Sequence, residues 1–190
     1  KSMSRLILEP TPQAQWQALV KEAQAACHRH LDESLESYLV FLLMRFADRP
    51  YCTARIMAED YLKSQVLQGE QRAGQLREVG DHCLLFSGLF PQLAERRLVP
   101  VSYFVNIGQG SYRQLSTVLD RGWSSVYSHL SEAFVVLMDI LHAMRGLGGE
   151  TVLTPIQAMD LWQDTGSRRC YEQMCADGHT RPAPAPTAKH

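Results

Sequence analysis

The chain has 190 residues, the usual length of one domain and enough to bury a hydrophobic core without disulfide or metal staples. Its 19 basic and 20 acidic side chains give a net charge of −1, which argues against a strongly basic nucleic-acid binder or a polybasic membrane-surface protein. Apolar residues make up 45% and charged residues 21%, as in a folded globular protein rather than a disordered one. No apolar run approaches the ~20 residues that span a bilayer, so no membrane partner is expected.

The five cysteines are spaced irregularly and contain no CxxC pair. An odd number at such spacing is unlike the disulfide framework of a small secreted domain, so we expect free thiols in a reducing compartment. The N-terminal residues show no basic segment followed by a long apolar run, as a signal peptide would. These features together predict a cytoplasmic protein.

Residue usage and proline positions predict an all-α fold. Leucine occurs 24 times against 17 for valine and isoleucine together, which favours helix because side chains branched at Cβ lose more rotamer freedom there. Thr11-Pro12 and Thr154-Pro155 each have the pattern of an N-cap residue followed by proline at the first helical position. From periodicity and these boundaries we expect about seven helices, in chain order 12–30, 33–47, 52–67, 70–88, 101–119, 123–145 and 155–175 (where Gly166 offers a break), with a short helical turn at 92–97.

Two helices are apolar enough to form the centre of the bundle. Residues 38–46 are apolar on all sides apart from one arginine, which places this helix at the centre of the domain or at a subunit interface. The second half of helix 70–88 is similarly apolar after a polar first half. We therefore expect a single-domain helical bundle built around 35–46 and 83–90.

Short connections between the predicted helices indicate neighbours that pack antiparallel within one domain, residues 3–176. The chain contains no internal repeat, so a repeat array is not expected. Residues 177–190 form a Pro/Ala-rich tail that offers little to a core, and we expect it to be flexible.

Arg45 is a candidate ligand-binding residue because it lies inside the apolar helix, between Met44 and Phe46. An unpaired charge there would cost several kcal/mol, so the guanidinium needs a partner. The partner is either a carboxylate such as Asp81, in a structural ion pair, or an anionic ligand. The structural pair is the commoner arrangement, and a guanidinium that reaches solvent at the helix end is a further alternative.

Asp81 and His82 lie where helix 70–88 changes from polar to apolar. Glu78 precedes His82 by four residues, so the two side chains can meet on one helix face. A carboxylate and an imidazole at the edge of a core suit general-base chemistry or metal ligation, although a solvated helix face is the simpler interpretation. Tyr103 and Tyr112 are the other candidate ligand-binding residues, each able to offer a hydroxyl to a pocket.

Asp139 and His142 have the acid-x-x-His spacing of helical di-metal proteins. Such centres need a second copy of this motif and two more carboxylates, all pointing inward. On a continuous helix 123–145, Asp139 falls opposite the leucine face, so we expect both side chains to point toward water. No metal site is predicted from them.

Two further sets of cysteine and histidine are also poor metal sites. Cys27, His28 and His30 diverge on a continuous helix, and His30 is expected to be a buried core histidine. The second set contains Cys170, Cys175 and His179, whose spacing matches no zinc module and lacks a fourth ligand. We predict neither a metal nor a catalytic residue from these patterns.

Nucleotide and nucleic-acid binding have little support. Gly108-x-Gly110 lacks the preceding strand and the following Gly-Lys-Ser/Thr of a phosphate loop, so these glycines are interpreted as a packing notch. A basic stripe would have to come from four arginines, namely Arg96, Arg97, Arg113 and Arg121. Because the net charge of the chain is close to zero, we expect no nucleic-acid partner.

The run Gly80-Asp81-His82-Cys83-Leu84-Leu85-Phe86-Ser87-Gly88-Leu89-Phe90-Pro91, followed by Tyr103, Gly108 and Tyr112, resembles a pattern of uncharacterised bacterial all-helical proteins. The resemblance covers helices 70–88 and 101–119 with their connection. It implies a bacterial source and a close pairing of these two helices. No activity accompanies the pattern.

The functional expectation favours a non-catalytic interaction protein that forms a homodimer or binds a partner protein. Its basis is helix 38–46, which has more apolar faces than one layer of neighbours covers. The alternative is a small-molecule or metal-dependent site in the bundle interior that uses Arg45, Asp81 and His82. The alternative requires these three side chains to converge on one pocket.

Overall fold

The computed structural model describes residues 11–48, 54–95, 99–149 and 153–176. These segments contain ten helices and no strand, which confirms the all-α prediction. The helices are α1 Pro12–Ala26, α2 Glu33–Asp48, α3 Ala54–Ser64, α4 Gly69–Leu89, α5 Gln92–Glu95, α6 Val101–Val118, α7 Arg121–Glu132, α8 Phe134–Gly146, α9 Pro155–Thr165 and α10 Arg168–Ala176. The predicted tail at 177–190 and the first residues of the predicted helix 52–67 lie outside the described segments.

The expected count of about seven helices was too low because two predicted helices are broken and the turn after α4 is a short helix. Ala133 has φ −90° and ψ 7°, which separates α7 from α8. Gly166 has φ +70°, a left-handed conformation that glycine adopts without strain, and it separates α9 from α10. No helix in the described segments is long and apolar enough to cross a membrane.

Both predicted N-caps are present. Thr11 Oγ1 accepts a hydrogen bond from the Ala14 N–H at 3.2 Å and starts α1. Thr154 and Gln157 form a capping box at the start of α9, in which each side chain accepts the backbone N–H of the other residue at 3.2 Å. Local sequence therefore sets where these two helices begin.

Helix α8 occupies the centre of the bundle, with α1, α4, α6, α7 and α10 packed around it. Every residue from Leu137 to Ala143 is buried. The second half of α4 is buried as predicted, whereas α2 lies at the side of the bundle against α1 and α7. Phe41 on α2 remains 63% exposed. The prediction that this helix lies at the centre of the domain was therefore wrong, and its alternative, a subunit interface, stays a prediction.

Glycines allow α4 to approach its neighbours closely. A Cβ on Gly80 would lie 2.5 Å from Cε1 of Tyr112 on α6, and one on Gly88 would lie 2.6 Å from Cβ of Leu141 on α8. Gly108 on α6 makes the same kind of contact with Phe134, which confirms the packing notch at that position. The α4–α6 pair is the most extensive helix pair of the described chain, as the resemblance implied.

Substitution of Gly88 by alanine should destabilise the protein, because the added Cβ overlaps Leu141 in a packed interior. We expect Gly88→Ala to lower the free energy of unfolding in urea by about 1–3 kcal/mol. Gly74→Ala in the same helix is the matched control, since nothing lies within 4 Å of its added Cβ. The free energy of unfolding of the control should rise by about 0.5–1 kcal/mol, because alanine stabilises helices relative to glycine. Equal effects of the two substitutions would contradict this packing.

Candidate functional site

A buried carboxylate on α4 is the centre of the candidate site. Asp81 is 1% exposed. Its Oδ1 accepts hydrogen bonds from the hydroxyl of Tyr38 on α2 at 2.5 Å and from that of Tyr112 on α6 at 2.7 Å. Its Oδ2 accepts a longer bond of 3.3 Å from Nη1 of Arg45, also on α2. One carboxylate thus links three helices, and both its oxygens have donors.

Tyr127 extends this network to α7. The rings of Tyr38, Tyr112 and Tyr127 pack together with centroids 5.6–6.4 Å apart. The hydroxyl oxygens of Tyr38 and Tyr127 lie 3.3 Å apart. Since the single hydroxyl proton of Tyr38 is used in the short bond to Asp81, Tyr127 is the donor in this contact. The oxygen of Tyr127 therefore retains acceptor capacity.

The electrostatics keep the tyrosines protonated. Burial raises the pKa of Asp81, while the hydrogen bonds from Tyr38 and Tyr112 and the charge of Arg45 act in the opposite direction. Burial and the nearby Asp81 carboxylate raise the pKa of Tyr112 well above its ordinary value. The same two causes raise the pKa of Tyr38. Tyr38 and Tyr112 therefore remain protonated hydrogen-bond donors to Asp81, which suits binding and orientation rather than phenolate chemistry.

Arg45 continues the network along the surface of α4. Its Nη2 lies 3.0 Å from Oε1 of Glu78, and Oε2 of Glu78 lies 3.5 Å from Nε2 of His82. The side chain of Arg45 is 46% exposed. The arginine therefore combines two of the predicted arrangements, an ion pair with Asp81 and a head group that reaches solvent.

The structure brings together three of the five predicted ligand-binding residues: Arg45, Asp81 and Tyr112. Within the described segments, His82 contacts the group through Glu78 alone. Tyr103 is 46% exposed and lies roughly 13 Å from Tyr112 along the axis of α6, given 1.5 Å per residue. Tyr103 therefore takes no part in this cluster.

Sequence reasoning missed Tyr38, Tyr127 and Trp123. Tyr38 had a usable signal, because its hydroxyl is the second polar group in the apolar run 38–46 and requires a partner when buried. No sequence signal marks Tyr127 and Trp123, because the packing of α7 against α2 and α6 is what brings them near Asp81.

A cavity of about 750 Å³ opens beside this cluster, between α2, α4, α6 and α7. This volume is within the range of small-molecule sites. Asp81, Arg45 and Tyr127 line its polar part, and the apolar wall includes Phe41, Leu119, Trp123 and Val126. Phe41 is 63% and Trp123 is 60% exposed, so two large aromatic rings face the opening.

Arg77 on α4 lines the same cavity. Its guanidinium forms no ion pair or hydrogen bond with another residue in the described segments, and its charge acts on the hydroxyl of Tyr127. Glu70, two helical turns earlier, also lines that wall. The cavity thus has an apolar side and a polar side that carries an available cation.

A second polar cluster lies in the interior between α8 and α10. Asp139, His142 and Cys170 are all buried, and each offers a potential ligand atom within 4.8 Å of the others. Burial raises the pKa of Asp139 to about 6 and that of Cys170 to about 12. Burial also lowers the pKa of His142 to about 4, so this histidine is neutral at pH 7.

The expectation that Asp139 and His142 point toward water was wrong, since they are 1% and 2% exposed. The helical wheel assumed one continuous helix, whereas the break at Ala133 changes the phase between α7 and α8. In addition, α8 is covered on all sides, so the face opposite its leucines packs against another helix.

The expectation of a core histidine at position 30 was also wrong. α1 ends at Ala26, so Cys27, His28 and His30 lie in a connection, where His28 has φ +52°. Cys27 is buried while His28 and His30 are exposed, because the chain has left the helical path assumed by the wheel. These three side chains do not form a metal cluster.

The other candidate residues are separated or fall outside the described chain. Cys170 is buried and Cys175 is exposed on the same helix, while His179 lies outside the described segments. Of the four arginines considered for nucleic-acid binding, Arg113 and Arg121 are exposed. The remaining two, Arg96 and Arg97, are not in the described segments.

Comparisons of the chain with protein-family models, curated proteins and solved structures find no match. The functional interpretation therefore depends on the geometry of the cavity and of the two polar clusters. Their defining groups are the carboxylates of Asp81 and Asp139, each buried among donors from other parts of the chain.

Removal of one tyrosine hydroxyl that donates a hydrogen bond to Asp81 should lower the stability of the protein. We expect Tyr112→Phe to reduce the free energy of unfolding by about 1–3 kcal/mol, because a buried carboxylate loses a donor. Tyr103→Phe on the same helix is the control and should change it by less than about 0.5 kcal/mol, as exposed substitutions usually do. Urea unfolding measures both, and a loss as large for Tyr103→Phe as for Tyr112→Phe would count against the network.

Proposed function

We propose that the protein binds a small amphipathic organic anion in the cavity between α2, α4, α6 and α7. The observation that carries the proposal is this cavity of about 750 Å³ with exposed aromatic rings on one side and a preorganised polar cluster on the other. The apolar body of the ligand would lie against Phe41 and Trp123. Its anionic head would bind the guanidinium of Arg77.

The ion pairs of the cavity support this division of roles. Arg45 already contacts both Asp81 and Glu78, so its charge is compensated. Arg77 has no such partner in the described part of the chain and is therefore the cation available to a ligand. The links from Asp81 to Tyr38 and Tyr112 hold the polar wall in place before a ligand binds, which reduces the entropy lost on binding.

A second candidate function is the homodimer or partner-protein interaction expected from the sequence. The observation in its favour is the same pair of exposed rings, because a partner's apolar side chain could cover Phe41 and Trp123. The buried thiols of Cys27 and Cys170 suit either function in the bacterial cytoplasm that we propose as its location.

The probe 8-anilinonaphthalene-1-sulfonate has the proposed ligand chemistry, an aromatic body and one anionic group. We expect the folded full-length protein to bind it at one site, with a fluorescence increase that saturates. Arg77→Gln should weaken this binding about tenfold, the value of one charge-assisted hydrogen bond of roughly 1.4 kcal/mol. Arg113→Gln, which removes an exposed arginine of α6 outside the cavity, should leave the affinity unchanged.

Absence of saturable binding, or equal effects of Arg77→Gln and Arg113→Gln, would overturn the ligand-binding proposal. Light scattering over a range of protein concentrations then tests the second candidate. A dimer that Phe41→Ser converts to a monomer would support the interaction function, whereas a monomer at every concentration would oppose the homodimer.

A further inference from the structure

The cluster of Asp139, His142 and Cys170 has the donor types of a metal site. An imidazole nitrogen, a carboxylate oxygen and a thiol sulfur lie within 4.8 Å of one another in the interior. Asp139 and His142 come from α8 and Cys170 from α10, so the tertiary structure assembles the set. All three residues are at most 2% exposed.

The hydrogen bonding of His142 leaves one of its nitrogens without a partner. Nε2 lies 2.8 Å from the backbone carbonyl oxygen of Ser87 on α4. A carbonyl oxygen only accepts, so Nε2 carries the proton and donates. Nδ1 is then a bare lone pair, and it is buried with no hydrogen-bond partner. Buried polar atoms without a partner are rare in folded proteins, and a bound ion is one of their recognised explanations.

Ser87 has the position that a supporting residue has in known metal sites. Histidine ligands almost always donate their second ring N–H to a carbonyl or carboxylate, which fixes the tautomer and the ring orientation. The bond from Nε2 to the Ser87 carbonyl does this here and leaves Nδ1 as the free ligand atom.

The other two side chains are also held in position. Asp139 Oδ1 accepts a hydrogen bond from the hydroxyl of Ser167 at 2.5 Å, and Ser167 Oγ accepts the Cys170 N–H at 3.2 Å. Ser167 thereby caps α10 and links it to α8. A carboxylate has about four lone-pair sites, so Asp139 keeps capacity for a metal beside its bond to Ser167.

We propose that Asp139, His142 and Cys170 bind one divalent metal ion of the zinc class between α8 and α10. The mixed oxygen, nitrogen and sulfur set suits Zn²⁺, and the anionic aspartate and thiolate neutralise its two charges. Metal bonds of roughly 2.0–2.3 Å place tetrahedral ligands about 3.3–3.8 Å apart, so donors that lie within 4.8 Å of one another would close by at most about 1.5 Å. The thiol proton of Cys170 leaves to solvent when the sulfur–metal bond forms. Three protein ligands leave a fourth position for water or another ligand.

The test uses Co²⁺ as a spectroscopic substitute for zinc, with tag-free full-length protein that has been treated with a chelator and desalted. We expect one Co²⁺ per chain, with visible bands of tetrahedral geometry and a near-ultraviolet band from sulfur-to-cobalt charge transfer. Stoichiometric Zn²⁺ should remove both. Cys170→Ser should abolish the charge-transfer band and weaken binding at least 100-fold.

Cys175→Ser is the matched control, because Cys175 is exposed on the same helix and lies outside the cluster. It should leave the spectrum unchanged. If Cys170→Ser does not fold, X-ray absorption of the zinc-loaded wild-type protein decides, with one sulfur and otherwise nitrogen or oxygen ligands expected. Failure of the wild-type protein to bind stoichiometrically, cobalt without a sulfur band, or a band that depends on Cys175 would each overturn the proposal.

Discussion

A carboxylate that is 1% exposed needs hydrogen-bond donors around it, and the donors of Asp81 come from other helices. Tyr38 and Arg45 reach it from α2, and Tyr112 reaches it from α6. α2 and α6 are therefore tied to α4 at one point by groups that would be costly to leave unpaired. This constraint also shapes the cavity, since the same helices form three of its walls.

Helix α4 joins the two polar regions of the interior. Asp81 lies at one place on this helix, and the carbonyl of Ser87 that orients His142 lies roughly 9 Å further along the axis. On either side of this pair, Gly80 and Gly88 let Tyr112 and Leu141 contact the helix backbone. Each polar contact therefore lies directly beside a close packing contact on this helix.

The two proposed sites differ in their surroundings, and this difference predicts different roles. The cavity beside Asp81 is open and lined by exposed aromatic rings, as expected for a ligand that exchanges with solvent. The cluster of Asp139, His142 and Cys170 is enclosed by packed helices, where an ion would exchange slowly and would also contribute to folding. Neither proposal requires the other, so the protein can have one function without the second.

The sequence by itself determined the all-α class, the N-caps at Thr11 and Thr154, and the burial of the second half of α4. These features depend on contacts within a few residues or on composition. The pairing of Arg45 with Asp81 was also foreseen, as one of the two partners weighed for the arginine, because a charge in an apolar helix must find a counter-charge.

Only the tertiary structure decided which polar side chains meet and which face of each helix is covered. Tyr38 and Tyr127 are 89 residues apart, and Asp139 and Cys170 belong to different helices, so no local pattern marks either pair. The helical wheel failed for Asp139 and His142 because α8 has neighbours on every side and a break at its start. Periodicity distinguishes an apolar face from a polar one, but it cannot say whether the polar face meets water or another helix.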